Sequence, residues 1–72
     1  MKKTRLSVNV SDENVKKQAI ESLTALSGVM SADIVGSEAI VFCGDRLKSE
    51  TLVETVNRCA GCSSTVIGED YI

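Results

Sequence analysis

The order in which two-residue and 3.6-residue hydrophobic periods succeed one another constrains this chain more than any other feature. Arg5 to Val10 alternates: Leu6, Val8 and Val10 share one side, Arg5, Ser7 and Asn9 the other, as in a strand with one buried face. Ser11 or Asp12 then offers an N-cap, and Asp12 and Glu13 set negative charge at the positive end of a helix. Val15, Ala19, Leu23 and Leu26 form one helical stripe, so the spacing predicts a helix over 12–27 closed by Gly28. Val29–Val35 and Glu38–Cys43 read as two strands about a Gly36-Ser37 turn, with Ala32, Ile34, Ile40 and Phe42 expected inward. Ser49 is expected to cap a second helix that carries Leu52, Val53, Val56, Cys59 and Ala60 on one face and ends at Gly61. Ser64–Ile67 reads as a last strand and residues 68–70 as a polar tail.

Two β-α-β halves joined by a hairpin leave few topologies open. Right-handed crossovers place both helices on one face of the sheet. The expectation is an α+β, ferredoxin-like β-α-β-β-α-β sandwich with a four-stranded antiparallel sheet in the order 4-1-3-2. Residues 1–72 make a single domain. At this length only ~60% of the unfolded surface can be buried, so the core is thin.

A net charge of -2 supplies no chain-wide basic field, which argues against nucleic acid as the primary partner. Lys2, Lys3 and Arg5 are expected in a solvated tail. The longest apolar run, Ala39–Cys43, is far below the ~20 residues of a membrane span. No apolar leader and no C-terminal prenylation box are read. Three cysteines, an odd number, do not suggest a disulfide framework, and a reducing, cytoplasmic setting is expected. The chain has no histidine and no phosphate-binding glycine loop. Its adjacent carboxylates, Glu69 and Asp70, fall in the expected tail. No enzymatic chemistry is therefore expected.

Two features remain. The helix-free face of the sheet is expected to present Arg5, Ser7, Asn9, Asp33, Val35, Val41 and Cys43. Val35, Val41 and Cys43 there are either ordinary surface residues or a small partner-binding patch. Cys59-Ala60-Gly61-Cys62 is the one short motif with chemical meaning. Such a pair can chelate Cu(I) or zinc, or cycle as a disulfide. Cys59 also falls on the apolar helix stripe, where cysteine is at home as a core residue. Cys43, expected on the far side of the sheet, would not complete a three-thiolate site.

Together these residues resemble the heavy-metal-associated domain, the small ferredoxin-like module of copper chaperones and metal-pumping ATPases. The resemblance spans nearly the whole chain. It rests on Leu26-Ser-Gly-Val29, Ser31-Ala-Asp-Ile-Val35, Phe42-Cys-Gly-Asp45, Leu52-Val-Glu-Thr-Val56 and Ala60-Gly61 in order. In that family a Met-Thr-Cys-x-x-Cys loop holds a soft metal ion between two thiolates. The matching positions here are Val10, Asp12 and Val15. A carboxylate and an aliphatic group replace the two sulfurs, so no metal is expected at Asp12 and Val15.

Lys16-Lys-Gln-Ala19 with Leu26-Ser-Gly-Val29 looks like plant members of the family that lack the cysteines, among them domains built into immune receptors. That likeness implies a cofactor-free protein-binding module, docked by pathogen effectors at its strand edges. The edges meant are Ser31–Val35 and Ser64–Ile67, where unpaired backbone groups can accept an added strand. Asp33 and Glu38 would select a basic partner, and Val35, Val41 and Cys43 would add apolar contact, in a monomer or weak homodimer. The alternative is a copper or zinc carrier with its site displaced to Cys59 and Cys62.

Overall fold

The computed structural model describes residues 1–10, 12–59 and 61–71. Its elements are β1 (Lys2–Asn9), α1 (Glu13–Thr24), β2 (Val29–Val35), β3 (Glu38–Cys43), α2 (Ser49–Asn57) and β4 (Ser63–Tyr71). The four strands form one antiparallel sheet in the order β2-β3-β1-β4, the expected order read from the other edge. Both helices pack on one face. Ala19 and Leu23 of α1 and Leu52 and Val56 of α2 meet Leu6, Val8, Ile34, Ala39, Val41 and Cys43 of the sheet. Among the described residues no helix is long and apolar enough to cross a membrane.

Helix α1 begins where its cap chemistry directs. Asp12 is the N-cap, and its carboxylate accepts from the Asn14 amide at 2.8 Å. The helix stops at Thr24, three residues short of the expected end, and Gly28 turns the chain at φ 94°. Ser11, the other cap option, and Ala60, on the second stripe, lie outside the described residues. Helix α2 has Lys48 as N-cap, without a side-chain capping bond. Ser49 is instead its first helical residue, and its hydroxyl donates to the Glu69 carboxylate.

Three expectations change. The first concerns β3. Val41 and Cys43 are fully buried under the helices, and Ile40 and Phe42 lie half-buried on the open face, the reverse of the expected orientation. Ala39 pairs with core Leu6, and Glu38 pairs with exposed Val35. Directly paired residues share a face, so Val35 outward puts Glu38, Ile40 and Phe42 outward as well. The apolar patch of Val35, Val41 and Cys43 therefore does not exist.

The second concerns the N-terminus, which is a strand and not a tail. Lys2 to Arg5 pair with β3 on one side and with Gly68–Tyr71 on the other, and Lys2 is only 3% exposed. The third follows from it, since β4 runs on to Tyr71 and absorbs the expected polar tail. A bulge opposite Arg5 and Leu6 leaves Ile67 as the extra residue, 50% exposed.

Candidate thiol pair and sheet edges

Cys59 follows the last turn of α2. Its amide donates to the Val56 carbonyl at 3.0 Å, and the Cys62 amide closes a further turn onto the Cys59 carbonyl at 3.1 Å. Gly61, at φ 86°, supplies the left-handed residue this reversal requires. Both cysteines are half-buried and pack against the core edge. The Cys59 sulfur touches the Ser22 hydroxyl of α1 and the Thr55 carbonyl, each at 4.0 Å. The backbone turn brings Cys62 back beside Cys59. Burial, then the charge of Cys59, then its hydrogen bond push the Cys62 thiol up from its ordinary pKa. The pair stands at a helix C-terminus, whose partial negative charge gives a thiolate none of the help available at an N-terminus.

Cys62 immediately precedes Ser63, the strand partner of Asn9. Val10 and Cys62 therefore enter or leave the sheet at the same end, and both pack against the core. This is the end where the resemblance puts a metal loop. In that loop Asp12 is engaged as the cap of α1 and Val15 is half-buried. Cys43 lies at the other end of the sheet, opposite Lys2 and Val29. Among the described residues no three His, Cys, Asp or Glu side chains gather as a metal-holding group.

The sheet edges are β2 and β4. Among the described residues, the exposed large apolar side chains Met30, Val35, Val66, Ile67 and Tyr71 lie on these two strands. Asp33 is exposed, and Glu38 is half-buried, with its carboxylate 3.7 Å from Arg5 across the open face. Each edge is also partly closed. Pairs flanking a two-residue turn exchange their hydrogen bonds, so the next pair, Ile34 and Ala39, points its amides outward. The Ile34 amide is taken by the Asp33 carboxylate at 2.8 Å. On β4 the Ser64 amide is taken by the Asn57 side chain of α2 at 2.9 Å. Such side-chain caps make an edge less able to accept a new strand. The spacing of Cys59 and Cys62 flags the thiol pair in sequence, whereas nothing in sequence flags the caps from Asp33 and Asn57.

No protein-family model matches the sequence, and no curated protein matches it significantly. Solved structures do. A copper-binding domain from HMA7, a P-type ATPase, superposes with a TM-score of 0.87 at 19% identity, covering 99% of this chain and 100% of that one. The yeast copper transporter domain CCC2A, solved in apo and Cu(I)-load states, gives 0.85 at 20% identity over 97% and 100%. Oxidized MerP from Ralstonia metallidurans CH34 gives 0.81 at 19% identity over 94% and 100%. At these identities the likeness is one of fold: the chain has the ferredoxin-like architecture of the heavy-metal-associated, copper-binding domains.

Proposed function

We propose that this chain is a carrier domain for a soft monovalent metal ion, Cu(I), held between Cys59 and Cys62. The observation that carries the reading is the turn from the Cys62 amide to the Cys59 carbonyl, which holds two half-buried cysteines together at one end of the sheet. Two sulfurs match the preference of Cu(I) for soft ligands. Zinc fits less well, since a closed zinc site takes four ligands and no third donor gathers here among the described residues. The copper domains that share the fold support the reading. Because the Cys62 thiol resists ionisation, loading releases protons and strengthens as pH rises. The test is titration of fully reduced protein with Cu(I) against a competing chelator. One equivalent should bind, and binding should vanish in a Cys59→Ser, Cys62→Ser variant. Equal binding by that variant overturns the reading.

A second reading is favoured by the apolar residues gathered on the edge strands. In it the domain docks another protein by strand addition, the role that the resemblance to some cysteine-free plant members of the family implies. The stretch of β4 from Val66 to Tyr71 is the better candidate, because it lies beyond the Asn57 cap and exposes Val66, Ile67 and Tyr71. On β2, Val35 is 64% exposed and Asp33 and Glu38 would meet a basic partner. Retention of a partner from native tissue by wild type and by a Val66→Lys, Ile67→Lys variant alike would count against the β4 edge.

A further inference from the structure

We infer that Cys59 and Cys62 form a reversible thiol–disulfide site that exchanges with small disulfides of the glutathione class. The inference is independent of the metal reading and holds whether or not the pair accepts an ion.

Three observations converge. The two cysteines are three residues apart, and the hydrogen bond from the Cys62 amide to the Cys59 carbonyl at 3.1 Å holds them in one turn. The pair has a way in: Gln18, Glu21, Ser22 and Ala25 of α1 and Arg58 and Cys59 line an open groove of about 480 Å³. Cys59 lies in that groove, and Cys62 is not among its lining residues. Arg58 offers a fixed cation to the carboxylates of a glutathione-type disulfide, and Gln18 and Ser22 offer hydrogen bonds. The third cysteine is fully buried at the other end of the sheet and takes no part.

The groove assigns the order of events. The Cys59 thiolate attacks one sulfur of the incoming disulfide. A Cys59–sulfur bond forms, the external disulfide bond breaks, and one external thiol leaves. The Cys62 thiolate then attacks the Cys59 sulfur and expels the second external thiol. The pair has lost two electrons and two protons, and the small disulfide has become two thiols. Reduced glutathione in excess runs the same steps backward. Closing the bond also removes the Cys59 S–H that donates to the Thr55 carbonyl, beside the sulfur's contact with Ser22, so the oxidation state is felt where α1 meets α2. It removes both sulfurs from any soft metal ion as well.

The test uses the whole 72-residue chain, reduced and metal-free, exposed to oxidised glutathione without oxygen. The expected product has lost two hydrogens, with Cys59 and Cys62 both protected from alkylation. Cys43 should stay free and should react only after unfolding. In Cys62→Ser a glutathione adduct should accumulate on Cys59. In Cys59→Ser any adduct on Cys62 should form about tenfold more slowly or less. A lasting adduct on the native chain without an internal bond overturns the proposal, as do two thiols that stay free. Equal adduct rates in the two single variants overturn the assigned order. Copper binding is measured separately on reduced protein, so each reading can fail alone.

Discussion

The Lys2 ammonium lies 3.9 Å from the Glu69 carboxylate, with Lys2 almost wholly buried and the Glu69 side chain one-third exposed. The same ammonium donates to the Leu47 carbonyl, and the same carboxylate accepts from the Ser49 hydroxyl. A residue from β1 and one from β4 thus meet the backbone just before α2 and the first residue of that helix. This small cluster ties both strand ends to the start of a helix whose N-cap makes no side-chain bond of its own. It is a structural role for residues whose sequence context suggests only a solvated tail.

Removing the ammonium leaves a partly buried carbonyl and a partly buried carboxylate without their donor. Lys2→Met keeps the apolar stem and deletes the charge. It should cost about 1–3 kcal/mol, since Glu69 retains some solvent and screening. Urea unfolding of Lys2→Met, Glu69→Gln and the double variant measures it. The coupling energy in that cycle should be well above zero, because the two groups share one network.

The face of β3 gives a sharper contrast. Val41→Ala removes fully buried methyl groups and should lower stability by about 2 kcal/mol. Val35→Ala, at an exposed edge position, should stay within about 0.5 kcal/mol. Val35→Lys should likewise leave the fold intact. Thermal melting of the three variants decides it, and a Val41→Ala variant as stable as wild type would contradict the burial of that face.

These particulars show what the sequence makes legible. Element order is legible because β1 alternates cleanly and both helices carry regular stripes. The orientation of β3 is harder, because Ala39-Ile-Val-Phe-Cys43 is apolar throughout and carries no alternation of its own. The deciding clue is relational: Val35 and Glu38 flank the turn, so an outward Val35 fixes every residue of β3. The ends of β1 and β4 are illegible singly, since Lys2–Arg5 are ordered between β3 and Gly68–Tyr71, and Gly68–Tyr71 are strand by pairing with Lys2–Arg5. The Cys59 and Cys62 spacing and the Asp12 cap are local and can be read directly. The edge caps from Asp33 and Asn57 depend on which strands are outermost, a property of the assembled sheet.

The Cys62 thiol yields a prediction of pH dependence. Its pKa is raised by burial first and by Cys59 next. The folded state therefore favours the protonated thiol. The associated stability is fully present below the unfolded value of about 8.5 and is lost as pH rises through the higher folded value. Stability of the reduced protein should fall on that alkaline side, and less steeply in Cys62→Ala. In Cys59→Ala two of the three causes are gone. The pH midpoint for alkylation of Cys62 should then move down toward the ordinary range. Site-resolved alkylation across pH reads this directly, and an unmoved midpoint would leave burial as the sole cause.

The first loop supplies the last prediction. Asp12 caps α1, so Asp12→Ala should cost about 1 kcal/mol, and Asp12→Asn much less, because an amide oxygen still accepts from the Asn14 amide. The resemblance to the heavy-metal-associated family implies that this loop corresponds to one where two thiolates hold soft metal, and a helix N-terminus favours thiolates in a way the end of α2 does not. Placing cysteines at both positions, Asp12→Cys with Val15→Cys, in a background of Cys59→Ser and Cys62→Ser should create a Cu(I) site where none remained. Its loading should persist to lower pH than that of the native pair, because thiolates at the positive end of a helix form more readily. Competition titrations at several pH values compare the two sites. If the rebuilt loop binds no copper, the correspondence of Asp12 and Val15 with the family's ligand positions is wrong, and the inference that its chemistry was replaced there falls with it.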